Sequence, residues 1–236
     1  PPGTAYGSNA MGGLLFIESN DPTPERSDSL MAGAGSYGAW QTGAVLNGPL
    51  SEKVSGRLAI HQFRGDGYIR NDFLTVDDTN GFDELTLRGK LRWEPSAESR
   101  IDLTALYLDA DNGYDAFSLQ HNRHTGSDEP GHDAQQSFAL SLSGVHEWRN
   151  RLRLEASIFW EDSDLEYGFD WDWSDFGTSS IRGHENNRRA RDSLGIDIRL
   201  TSGAETRIAG TADWVAGVYL YRRDVSLRYN DLWEEI

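Results

Sequence analysis

Three histidines and three carboxylates fall within one short stretch of this chain: His121, His124 and His132, with Asp128, Glu129 and Asp133. Imidazole nitrogen and carboxylate oxygen together can hold a divalent metal. The spacing matches no compact ligand set, and the plainer reading is a solvated loop, so the three histidines stand only as candidate ligands. Further on, Tyr167-Gly-Phe-Asp-Trp-Asp-Trp-Ser-Asp-Phe176 interleaves rings with acids. Trp171, Trp173 and Phe176 offer faces on which a planar ligand can stack, and the acids between them suit a cationic ligand or Ca²⁺. The competing reading is a ring girdle with loop-tip packing. The basic run Asn186-Asn-Arg-Arg-Ala-Arg191 suits phosphate or simply the rim of a strand. Glu18, Asp109 and Asp111 invite comparison with paired catalytic acids. No nucleophile, oxyanion loop or phosphate cradle accompanies them, so neither an enzyme nor a cofactor is expected.

The elements that must position these groups are strands. Leu85, Leu87, Gly89, Leu91 and Trp93 alternate with Glu84, Thr86, Arg88, Lys90 and Arg92. A period of two over that length means one apolar and one charged face. The same alternation recurs in Val54–Ile60, in a strand expected to run to about Tyr68, and in Ile101–Tyr107, Phe138–Trp148, Leu152–Trp160 and Leu194–Leu200, while Trp40–Asn47 reads as a further strand. A weaker strand at 29–35 and a final one starting near Arg207, whose phase is ambiguous around Val218, bring the expected number to about nine. Short connections (48–53, 94–99, 149–150, 201–206) alternate with long polar ones (112–133, 169–187). The strands reach the ~9–11 residues a tilted membrane-spanning strand needs, where a soluble strand averages about 5–6. Arg57, Glu84, Arg88, Lys90, Arg92, Arg153, Glu155, Asp197 and Arg199 all fall on the polar face.

Composition narrows the class. The chain has 236 residues, 38 acids against 22 bases, a net charge of −16 and no cysteine. Acidity argues against nucleic acid, and the lack of Cys excludes a disulfide scaffold or thiolate metal site. A mean hydropathy of −0.61 and the absence of any run of ~18 apolar residues exclude a membrane helix. A transmembrane barrel stays compatible, because its lipid-facing residues are diluted by lumen-facing ones. The 8 Trp, 9 Tyr and 9 Phe are what interfacial girdles require.

One stretch is more specific. Gly3-Thr4-Ala5-Tyr6-Gly7-Ser8-Asn9-Ala10-Met11-Gly12-Gly13 is followed by the apolar Leu14-Leu-Phe-Ile17 and by Asn20-Asp21-Pro22-Thr23. This closely resembles the end of the plug domain of TonB-dependent outer-membrane receptors, in which a glycine-rich run leads through one strand and a proline-containing link into a barrel. The resemblance implies residues 1–25 as the C-terminal end of a plug and 26–236 as the N-terminal part of an antiparallel transmembrane β-barrel, about nine of about 22 strands. It assigns Gly3, Thr4, Tyr6, Gly7, Asn9, Gly12 and Gly13 a structural role. It further implies energy-coupled import of a scarce ligand such as a ferric siderophore, outer-membrane lipid around the barrel, and an inner-membrane TonB complex acting on a plug region not seen here. No signal peptide is visible, and the chain reads as a fragment opening in mid-motif. A passive porin or adhesin barrel shares the alternation but needs no plug end. A soluble carbohydrate-binding β-protein shares the rings but explains neither the loop asymmetry nor the motif.

Overall fold

The computed structural model describes residues 18–114, 117–118, 120–129, 131–175 and 181–235. Among them there is no helix. Eleven strands follow one another: β1 Ser29–Ala34, β2 Trp40–Ser51, β3 Val54–Gly65, β4 Arg70–Asn71, β5 Phe82–Ser96, β6 Ser99–Gly113, β7 His124–Thr125, β8 His132–Glu147, β9 Arg153–Asp170, β10 Ile181–Thr201 and β11 Val215–Glu235. Nine form a single antiparallel meander in the order β1-β2-β3-β5-β6-β8-β9-β10-β11. The short β4 and β7 pair in parallel outside it. Connections at one end are the turns 52–53, 97–98 and 148–152 and the segment 202–214. At the other end they are 35–39, 66–81, 114–131 and 171–180, called the loop end here.

Register converts the sequence period into two faces. One row across the sheet reads Gly56–Leu91–Leu103–Leu142–Ile158–Ile196–Leu220; the adjacent row, one residue along, reads Arg57–Lys90–Thr104–Ser141–Phe159–Gly195–Tyr221. Burial is inverted relative to a soluble domain. Ile69 is the sole buried hydrophobic among the described residues, whereas Ser55, Ser163 and Ser193 are buried on the polar face. Leu58, Leu91, Trp93, Leu140, Leu142, Ile158 and Ile198 all lie exposed on the apolar face. Among the described residues no second sheet or helical layer covers that face. An apolar surface of this extent marks an interface with lipid or another protein rather than with water.

The apolar face is also bounded. Along β8 it runs from Phe138 to Trp148, and along β9 from Leu154 to Trp160, the latter pairing with Leu140 and Leu194. Beyond Phe138 the same face turns polar: Gln136, Asp162, Asp164, Glu166, Asp192 and Arg188 stand toward the loop end. Rings therefore mark both margins, with Trp93 and Trp148 at the turn end and Tyr107, Phe138 and Trp160 at the other, as in an aromatic girdle.

Several boundaries differ from expectation. β2 continues through Pro49 to Ser51, because Pro49 stands beside the β-bulge where its missing N–H is tolerated. β3 ends at Gly65 rather than near Tyr68. The long connections shrink, since β9 reaches Asp170 and β10 starts at Ile181. These polar strand ends lack hydrophobic alternation because both faces lie beyond the apolar belt, so they read as loop. The final strand begins at Val215, not near Arg207, which makes 202–214 longer than a short turn. Its phase is settled by register: Val218 and Leu220 pair with Ile198 and Ile196 on the apolar face, which puts Tyr219 and Tyr221 on the polar one.

Candidate functional site

At the loop end the connections join into one layer. Ser36-Tyr37-Gly38 forms a tight hairpin with positive φ at Tyr37 (60°) and Gly38 (64°), and the Tyr37 hydroxyl accepts from Arg123 Nη1 at 2.8 Å. The β4–β7 pairing ties 66–81 to 114–131, with Asn71 Nδ2 donating to the Ser127 carbonyl at 2.8 Å. Ser127 Oγ in turn donates to Asp170 Oδ2 at 2.7 Å, and Arg182 pairs with Glu129. Asn71, Ser127 and Asp170 are all buried. Burial pushes the Asp170 carboxyl up to about 6, with the neighbouring Asp172 charge adding to it, against hydrogen bonds from Ser127 and the backbone N–H groups of Asp172 and Trp173.

Against this layer, on the polar side of the sheet, stands a run of rings. Tyr167 and Phe169 share the face of Glu161 and Ser163 by the strand period. Tyr114 lies 4.7 Å from Tyr167 and 5.9 Å from Phe169; Phe169 stacks at 6.3 Å on Trp173, which is 4.3 Å from Phe117. Asp133 pairs in register with Tyr167, and Glu185 with Phe169. Burial first, then Tyr114 and these two carboxylates, raise the Tyr167 phenol above its ordinary range. Such a wall can stack planar groups and hydrogen-bond at its edges.

Of the candidate ring residues, Trp173 joins this wall. It sits in the left-handed region at φ 49°, held by its N–H to Asp170 Oδ1 at 3.2 Å. Trp171 does not join it: its indole lies over Gly183, where any Cβ would collide with the ring, and its backbone N–H donates to the Gly183 carbonyl at 3.1 Å. Phe176 lies outside the described residues. Tyr114, Phe117, Tyr167 and Phe169 complete the wall. The sequence reading did not single these out as ligand contacts, because Tyr114 and Phe117 come from another loop.

The histidines are not brought together. His124 Nδ1 lies 2.9 Å from Asp72 Oδ2, His132 Nε2 lies 3.0 Å from Glu166 Oε1, and the His121 ring rests against Phe117 at 6.5 Å. No cluster of three or more His, Cys, Asp or Glu fit for a metal occurs among the described residues. The three histidines thus make separate contacts, because β8 carries His132 on the apolar-side parity while the other two stay in the loop layer. The basic run is likewise split: Arg188 pairs with Glu166 at 2.8 Å on one face, while Arg189 and Arg191 occupy the other.

The motif residues Gly3, Thr4, Tyr6, Gly7, Asn9, Gly12 and Gly13 lie outside the described residues. The segment that follows them is fastened to the polar face. Asp21 lies 2.8 Å from Lys90 Nζ and 2.7 Å from Arg92 Nη2, and Lys90 also donates to the Ser19 carbonyl at 3.2 Å. Arg92 is shared with Asp102 at 2.7 Å. Asn47 is the second fastening. Its Oδ1 accepts from the Thr23 N–H at 3.2 Å, and its Nδ2 donates to Thr23 Oγ1 at 2.8 Å and to the Glu25 carbonyl at 3.0 Å. Its backbone donates to Asp28 Oδ1 at 3.2 Å and accepts from the Ser27 N–H at 2.9 Å. Nothing but its polar-face parity on β2 announced Asn47 in the sequence.

No protein-family model matches the chain. Solved structures do. The ferric yersiniabactin uptake receptor FyuA from Yersinia pestis superposes with a TM-score of 0.73 at 17% identity, over 92% of this chain and 33% of that one. The ferric-catecholate import receptor Fiu from E. coli K12 gives 0.66 at 15% identity, over 88% and 35%. The ferripyoverdine receptor of the outer membrane of Pseudomonas aeruginosa gives 0.63 at 17%, over 90% and 29%. In sequence, the chain is 28% identical over 110 residues to the vitamin B12 transporter BtuB of Photobacterium profundum, covering 47% of this chain and 18% of that protein. The chain therefore spans about a third or less of the relatives it matches. An antiparallel meander with one apolar face left uncovered and these receptors as its fold neighbours makes this chain all-β: it carries the barrel fold of these receptors over about a third of their length.

Proposed function

We propose that the protein imports a scarce ligand across the outer membrane, that the ligand is a ferric siderophore, and that movement of a plug coupled to the inner-membrane TonB complex drives the passage. The observation that carries this reading is the ring wall of Tyr114, Phe117, Tyr167, Phe169 and Trp173 on the polar face at the loop end. A lumen lined by charge elsewhere has no need of five adjacent rings, whereas capture of a bulky planar-armed chelate does. Three of the fold neighbours are named for ferric chelates, which supports iron over other cargo. Residues 1–25 serve as the end of the plug, and the apolar face meets outer-membrane lipid.

In this mechanism the loop layer and ring wall hold the ligand at the mouth. The polar face then offers a hydrated, mixed-charge path once the plug moves.

The test is radioiron uptake by cells expressing the full-length protein, supplied with the radioiron-loaded supernatant of the iron-starved source strain. Phe117→Ala and Trp173→Ala each lower ligand affinity about two- to tenfold, since one stacked ring contributes about 0.5–1.5 kcal/mol. Trp171→Ala, whose ring lies over Gly183, changes it less. Unchanged uptake and affinity in both wall variants would overturn the ligand assignment. Expression that ignores iron limitation would count against an iron chelate.

A further inference from the structure

The fastening of residues 19–28 has a form that a mere connection does not need. A link between two domains requires only length and exposure. This one is held by side chains from two strands at separate points. Asp21 is clasped by Lys90 and Arg92, whose side chains are only 14% and 11% exposed. Asn47, 4% exposed, binds Thr23 and Glu25 through its side-chain amide and Ser27 and Asp28 through its backbone. Arg92 is itself fixed by Asp102 at 2.7 Å. Each attachment leaves a shielded polar group without its partner if the link departs, and an unsatisfied buried group is penalised more heavily than an exposed bond rewards.

We infer that Asn47, Lys90 and Arg92 are positioning residues that keep residues 19–28 fixed on the barrel wall throughout transport, so that the moving part of the plug ends before Ser19. The inference rests on the proposed reading of residues 1–25 as the plug's end, and adds where its motion stops. An anchor here spreads a pull on the plug over β2 and β5, which carry Asn47 and the Lys90–Arg92 pair, instead of passing it to β1 alone. It also returns the plug to the same register after each cycle. Two hydrogen-bonded points some residues apart fix both position and direction of the link, which a single ion pair cannot.

The chain contains no cysteine, so a single introduced thiol reports cleanly. Full-length protein carrying Pro22→Cys, a buried position of the link that makes none of the anchoring hydrogen bonds, is labelled in living cells with fluorescein maleimide, with and without a protonophore that removes the energy source. If the anchor holds, the labelling rate is slow and the same in both conditions. Adding Asn47→Ala to Pro22→Cys raises the rate by about tenfold or more, the loss of one to two net hydrogen bonds. Asp21→Asn, which weakens the Lys90 and Arg92 pairs without touching Asn47, raises it less. Heat-modifiable electrophoretic mobility checks that each variant is an assembled barrel. In addition, Thr23→Cys/Asn47→Cys replaces the amide contacts by a covalent staple, and the oxidised form keeps its uptake. Energy-dependent exposure of the Pro22→Cys thiol with Asn47 intact, or uptake of the Thr23→Cys/Asn47→Cys protein blocked on oxidation and restored by reductant, would overturn the anchor. Neither result touches the transport reading, which stands or falls on the uptake of the parent protein.

Discussion

Placing one arginine on either side of the same strand tests the orientation of the whole sheet. Leu142 lies on the apolar face of β8, 46% exposed, in the row with Leu91, Leu103 and Ile158. Phe138 and Trp148, ten residue steps apart, mark the margins of that face. At about 3.3 Å per residue and a tilt of about 45°, those steps climb about 23 Å along the membrane normal, matching an apolar band of about 25 Å. Leu142 then sits about 9 Å below the upper margin, close to the midplane. An arginine there costs about 2–4 kcal/mol, whereas near an interface it costs about 0–1. Gln136→Arg, two residues beyond Phe138 on the same face, supplies the interfacial control. Ser141→Arg, on the polar face, supplies the lumen control and costs little. The assay is denaturant unfolding of full-length protein folded into phospholipid vesicles, followed by tryptophan fluorescence. The expected order is Leu142→Arg well below parent, with Gln136→Arg and Ser141→Arg near it. If Leu142→Arg costs no more than Gln136→Arg, or if Ser141→Arg is the damaging one, the face assignment is wrong. A half-exposed leucine in water would cost under about 0.5 kcal/mol, so the two accounts are well separated.

Further outcomes follow from the loop layer and the sheet edges. Asp170 has its folded pKa raised to about 6 from 3.8, so the closed layer binds a proton more tightly than the open one; closure is strongest below about pH 4, weakens as pH rises toward 6, and is flat above. Hydrogen exchange of the 171–173 amides, normalised for intrinsic rate, should show that profile, and Asp170→Asn should abolish it while protecting those amides better at pH 7; an unchanged profile in the variant would refute the assignment. Gly183→Ala places a methyl where the Trp171 ring lies, and should displace that ring, read as a shift in Trp171 emission in a variant background lacking the neighbouring tryptophans. Since β1 and β11 each pair on one side only, the 236-residue chain expressed alone should self-associate through these edges; a sharp monomer in detergent with a cooperative melt would contradict this.

The strand period was legible from residue order alone, because it depends only on successive side chains pointing to opposite faces. Leu85 to Trp93 declare a two-faced ribbon in any setting, and the glycine-rich run at the N-terminus named the family to expect. Residue order did not show where the strands end beyond the belt. Ile181 to Asn187 read as loop, since a strand with water on both faces has no hydrophobic alternation to display. The phase of β11 also stayed open until pairing with β10 set it.

The site was the least legible part, for a physical reason. Trp173 was named from composition, but its partners Tyr114 and Phe117 arrive from a different connection, and rings meet through space rather than by spacing. The histidines, close in sequence, separate because a strand and a loop carry them to different partners. Asn47 was one polar residue among many until the link folded back on it. Order along the chain determined which groups share the apolar face and which the polar one; only tertiary contact decided which of them touch, because such contacts join segments whose separation in sequence carries no periodic signal.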